Sequence, residues 1–166
     1  WEHQALVRAR AVAGDASLAA AFDKVRHTTL CQQRDPIALA KEVVEMRNKM
    51  RLHLSSKHSE SFDIKHDSGG IVDIEFMVQY GVLAWADSHP AITKFTDNIR
   101  ILESFAGAGL LSAHEADQLA QAYKAFRSAG HRLALQHQES RVEASAFAEE
   151  KHQVEKIWQK IFAAVE

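Results

Sequence analysis

The sequence predicts an all-α fold, a bundle of about seven helices with one long polar loop at residues 55–70. Three observations carry that expectation. The 166 residues hold two prolines and seven glycines among abundant alanine, a composition that favours helix. Apolar residues recur at three- and four-residue spacing in one segment after another. β-Branched residues are too scattered to build a sheet. The length fits a single helical domain over residues 1–166.

Each element follows from local signals. The first helix spans residues 2–13 and stops at Gly14, a good left-handed C-terminal position. Asp15 caps a second helix over 16–33, in which Leu18, Phe22 and Val25 mark an apolar face. Asp35-Pro36, a cap followed by proline at the first helical position, opens a third helix to about 54. Its apolar stripe is Val43, Met46, Met50 and Leu54. The stretch 55–70 is rich in Ser, His and Lys, with a short extended piece at 62–64. Residues 71–85 read as one continuous fourth helix, apolar almost all round and therefore central; Ser88-His89-Pro90 ends it. Thr96-Asp97 starts a fifth helix, ended by Gly107-Ala108-Gly109. Ser112 and Glu115 have capping-box spacing at the head of a sixth, which runs to about 137. The last, 146–165, carries Val154, Ile157, Trp158, Ile161 and Phe162 on one side.

Composition narrows the functional classes. A net charge of −2 argues against a nucleic-acid partner, and no apolar run reaches membrane-spanning length. The single cysteine, Cys31, can form neither an internal disulfide nor a cysteine-based zinc site, which points to the reducing cytoplasm. The chain opens on Trp1 in helix-like sequence, which reads as a fragment of a longer protein. Among the ten histidines there is no HExxH, and His53/His58 or His131/His137 lack i,i+4 spacing, so no metal site is expected. No catalytic nucleophile, Walker loop or dinucleotide fingerprint is present.

The stretch HDSGGIVDIEF, residues 66–76, allows two readings. As a strand, it would place Asp73 and Glu75 on one face, where they could chelate a divalent metal. As a helix, it turns them roughly 200° apart, and a shared metal becomes awkward. The absence of partner strands favours the helix. Gly69-Gly70 could then present backbone N–H groups to a phosphate, with Lys65 and His66 adding positive charge. Alternatively the glycines only permit a tight turn, with Asp67 or Ser68 capping the helix. Basic residues cluster at Arg8 and Arg10, and at Arg47, Lys49 and Arg51; Arg47 and Arg51 share a helical face that could steer a polyphosphate.

Three longer motifs carry more. WEHQALVRARAVAGD (1–15), FDIKHDSGGIVDIEFMVQY (62–80) and TDNIRILE (96–103) together resemble the bifunctional glutamine synthetase adenylyltransferase/adenylyl-removing enzyme family, over essentially the whole chain. The resemblance implies a parent with two nucleotidyltransferase halves, each a catalytic palm followed by a helical domain. The chain is similar to the helical domain of the C-terminal half, which transfers AMP from ATP to a tyrosine of glutamine synthetase. Asp73 in GGIVDIEF favours that half, since the other more often reads GGIREIEF. A related helical domain follows the palm of the uridylyltransferase that modifies the PII signalling protein.

The palm's G-S-x-x-D-x-D motif, which would hold two magnesium ions, is absent from this chain. The resemblance therefore implies an accessory domain of a nucleotidyltransferase, inactive alone. ATP and magnesium would serve the parent, with neither held tightly here. Partners would be the palm of the same polypeptide, glutamine synthetase and a PII-type protein. Arg8, Arg10, Lys65, Gly69 and Gly70 are the candidates for lining the nucleotide cleft. A second expectation is a regulatory module that binds glutamine synthetase or a PII-type protein through the basic face of the third helix and the exposed part of the last. A third, an autonomous transferase using Asp73 and Glu75, conflicts with the helix count.

Overall fold

The computed structural model describes residues 2–54 and 61–165, the side chain of Leu54 excepted. Residues 55–60 of the expected polar loop lie outside the described residues. Among the described residues are six α-helices: α1 (Ala16–Leu30), α2 (Pro36–Leu54), α3 (Ile71–Trp85), α4 (Asn98–Gly107), α5 (Ala113–Leu135) and α6 (Ala148–Phe162). Two short 3-10 helices, Glu2–Val7 and Pro90–Thr93, join them. A minimal antiparallel sheet pairs β1 (Ser61–Asp63) with β2 (Arg141–Glu143), Phe62 opposite Val142.

Local chemistry sets most helix starts. Asp15 accepts the Ser17 and Leu18 amides, Asp35 those of Ile37 and Ala38, and Asp97 that of Arg100. Ser112 and Glu115 form a complete capping box. Each cap satisfies amides that the helix itself leaves unpaired. The first element departs from expectation. It is a 3-10 helix that ends at Val7, not a helix to residue 13. The cause is distant: the buried Arg26 guanidinium takes the carbonyls of Leu6 and Val7, together with those of Thr93 and Phe95. The Leu6 carbonyl keeps one local bond, from the Ala9 amide, while Arg26 ties the end of this helix to the backbone at residues 93 and 95.

Helix α3 is the axis of the molecule, buried at eleven of its fifteen positions. It packs against the N-terminal 3-10 helix, α2, α4, α5 and α6. Around it the aromatic rings meet edge to face or tilted: Trp85 on Phe105 at 5.1 Å, Tyr80 on Phe162 at 5.0 Å and Phe62 on Phe126 at 5.8 Å. Such contacts add to the gain from burying large apolar area. Helix α1 is the opposite case, with only Arg26 and Leu30 buried. On α2 the buried line is Leu39, Val43 and Arg47, spaced four apart, with Met46 exposed and Met50 half-buried. The expected apolar stripe is thus rotated, and an arginine closes the buried line.

Candidate functional site

The head of α3 is formed by a loop that satisfies its own polar groups. Asp63 Oδ1 accepts the Lys65 and His66 amides and the Ser140 hydroxyl. The Gly70 amide goes to the Asp67 carbonyl, that of Ile71 to Ile64 and that of Val72 to Lys65. Gly69, at φ 77°, donates its amide to Asp73 Oδ2 at 2.7 Å. A phosphate cradle requires free amides at the helix start, and these are engaged within the chain. A Cβ on Gly69 would sit 2.7 Å from the Lys151 carbonyl of α6, and one on Gly70 would sit 2.8 Å from the Ile64 carbonyl. Both positions admit glycine because backbone approaches them closely. Neither Asp67 nor Ser68 caps α3; the N-cap is Gly70, and the carboxylate of Asp73 reaches back in their place.

Asp73 is fully buried and holds two arginines of α2. Arg47 donates to it through Nε, and Arg51 through Nη2 at 3.0 and 3.2 Å. Arg47 also donates to the carbonyls of His66 and Asp67. Burial pulls the Arg47 guanidinium below its ordinary pKa, while the charge of Asp73 opposes that shift. Arg51 lies over the Trp158 ring at 5.4 Å. The expected basic face of this helix is therefore internal: Arg47 and Arg51 tie α2 to α3, and Arg47 is wholly inaccessible. Arg47 is enclosed and Arg51 mostly covered, so the pair is directed at Asp73 instead of standing out as the expected basic face.

Glu75 points elsewhere. It pairs with Arg8 at 2.8 Å and accepts the Tyr123 hydroxyl at 3.3 Å. Burial, and then the Glu75 charge, push the Tyr123 hydroxyl above its ordinary pKa. Asn98 is buried beside that hydroxyl, and neither of its amide atoms makes a hydrogen bond of standard geometry. Arg8, Glu75 and Asn98 belong to the first, second and third sequence motifs. The fold brings the motifs together through Tyr123, a residue that sequence reasoning missed.

Comparison with known proteins places this geometry in a family. A model described as GlnD PII-uridylyltransferase matches residues 38–161. The chain belongs to that family. It is 56% identical over 158 residues to a bifunctional glutamine synthetase adenylyltransferase/adenylyl-removing enzyme of Nitrosococcus oceani, covering 95% of this chain and 16% of that protein. Proteins of the same description from Hahella chejuensis and Pseudomonas aeruginosa are 51% and 49% identical over 98% and 97% of the chain. The chain spans about a sixth of the length of these curated relatives, from 16% to 18%.

Within this family member, the five sequence-predicted site residues fall in four places. Arg8 is half-exposed at the Glu75 pair. Arg10 lines a cavity of about 430 Å³ with Asp23, Arg26, His27, Lys94 and Thr96. Lys65 lines a smaller cavity, of about 180 Å³, with Arg127, His131 and Ser140. Gly69 and Gly70 are buried beneath α6 and their own loop. Arg10 and Lys65 line different cavities. Among the described residues no three His, Cys, Asp or Glu side chains converge to hold a metal ion; His58 lies outside them. No described helix is long and apolar enough to cross a membrane.

Proposed function

We propose that the chain is the helical domain accompanying the nucleotidyltransferase palm in the half of a bifunctional glutamine synthetase adenylyltransferase/adenylyl-removing enzyme that adenylylates glutamine synthetase. The observation that carries this reading is the separation of the two signature carboxylates. Asp73 is saturated by Arg47, Arg51 and the Gly69 amide, while Glu75 faces Arg8 and Tyr123. Two positions apart on a helix, they cannot grip one ion. The residues present thus do not fit a magnesium–nucleotide site of their own, and the reading derives no catalytic step through them. They fit a scaffold that orients a neighbouring catalytic domain and contributes cations from the side of Arg8 and Arg10.

The test uses the full-length protein. It should transfer labelled AMP from ATP to glutamine synthetase, whereas this segment expressed alone should transfer none. Arg10→Glu in the full-length protein should raise the KM for ATP several-fold. Transfer by the segment alone, or a full-length protein unable to modify glutamine synthetase, would overturn the reading. An unchanged KM would remove Arg10 from it.

A further inference from the structure

Helix α1 has more apolar surface than this chain covers. Leu18 is 70% exposed and Val25 63%, with Phe22 half-buried between them. Residues 18 and 25 are seven apart and stack on one side of the helix, and 22 lies between them. The buried line of Arg26 and Leu30 runs along one margin of that stripe. On its far side, Asp23 and His27 turn into the cavity that Arg10, Arg26 and Lys94 make basic. Within the chain α1 packs chiefly on the two 3-10 helices. An amphipathic stripe of this kind normally faces a core.

We infer that the Leu18–Phe22–Val25 face of α1 is a docking surface for another domain of the same, longer polypeptide. Two arguments select that occupant over a second copy. Three side chains present far less than the roughly 800 Å² per partner of a stable interface between separate proteins. A domain tethered in the same polypeptide meets the patch at an effective concentration of order millimolar, so a small contact suffices. The curated relatives carry more than four-fifths of their length outside the matched segment, since the chain covers 16% to 18% of them. This inference rests on the proposed role inside a longer enzyme, but its readout does not depend on which reaction that enzyme performs.

The experiment is hydroxyl-radical footprinting of the unmodified full-length protein, resolved by peptide mass spectrometry and referenced to the same protein unfolded in urea. Leu18, Phe22 and Val25 are expected to oxidise at least fivefold more slowly than in the unfolded state, independently of protein concentration. In the same sample Leu135, 83% exposed at the end of α5, is the solvent-facing comparison. Protection below fivefold at Leu18 and Val25 would overturn the inference. Protection that appears only as concentration rises would overturn it in favour of a second copy. A Leu18→Asp/Val25→Asp variant that keeps its circular dichroism and gains oxidation at Phe22 would support it; unchanged protection of Phe22 would sink it. Footprinting reads contact without reference to activity. A protein that shows the protection and fails to modify glutamine synthetase would sink the functional reading alone.

Discussion

Asp73 and Glu75 stand two residues apart on one helix, carry the same charge, and have opposite environments. Asp73 is sealed between α2 and α3, with Arg47 equally inaccessible beside it. Glu75 sits at the rim, its side chain 22% exposed, against an Arg8 that is 46% exposed. The helical turn causes the difference, since adjacent odd positions face nearly opposite ways. A short acidic motif therefore serves two purposes at once: one carboxylate welds elements together, and the other holds an arginine at the surface. A motif's residue types alone do not say which member is structural and which is placed for contact.

Removing Asp73 is the largest test of that contrast. Asp73→Ala leaves two arginines and the Gly69 amide without their shared acceptor, and Arg47 has no access to water. Breaking a buried ion pair from one side costs about 3–5 kcal/mol. Urea unfolding of the chain should show a loss in that range. A loss below about 1 kcal/mol would mean that Asp73 is no more a structural weld than Glu75.

The second test asks whether the rim pair is as weakly coupled as its exposure implies. A double-mutant cycle on Arg8→Ala and Glu75→Ala should give a coupling of about 0.5–1 kcal/mol, falling in 1 M salt because exposed pairs are screened. A coupling of several kcal/mol would erase the distinction between the two carboxylates. Glu75→Ala also removes the charge that raises the Tyr123 hydroxyl, so its titration should move back toward the ordinary value in ultraviolet difference spectra.

The same contrast explains what the sequence could reveal. The caps at Asp15, Asp35, Asp97 and Ser112 were legible because each is a contact within three residues. The central place of α3 was legible because it is apolar on almost every side. Arg47 was not legible: periodicity set the stripe at Val43, Met46, Met50 and Leu54 and left Arg47 on a basic face, whereas the fold buries it in line with Leu39 and Val43. That its partner is Asp73, 26 residues on, is a fact of tertiary structure. The early end of the first helix depended on Arg26, and the meeting of three motifs depended on Tyr123; neither has a local signature. On α1, periodicity marked Leu18, Phe22 and Val25 as the apolar face, while the residues the fold buries are Arg26 and Leu30. It could not say that the fold leaves that face uncovered within this chain.

Glu115 gives the smallest effect and the finest discrimination. Its carboxyl is drawn to about 2, first by the hydrogen bond from Lys160 and then by that from the Ser112 hydroxyl. The pair is 2.6 Å long, but Lys160 is exposed, so water and salt screen it. A carboxyl whose folded value lies below its unfolded one stabilises the fold above the unfolded value, and the contribution fades as pH falls through the folded one. Wild type should therefore exceed Glu115→Gln by about 0.5–1 kcal/mol at pH 7. The gap should narrow as pH falls from the ordinary value of 4.5 and be mostly gone near 2. Thermal melts of both proteins across that range measure it. A gap at pH 7 as large as the loss from Asp73→Ala would show that a strong local hydrogen bond outweighs burial, reversing the order argued from the two carboxylates of α3.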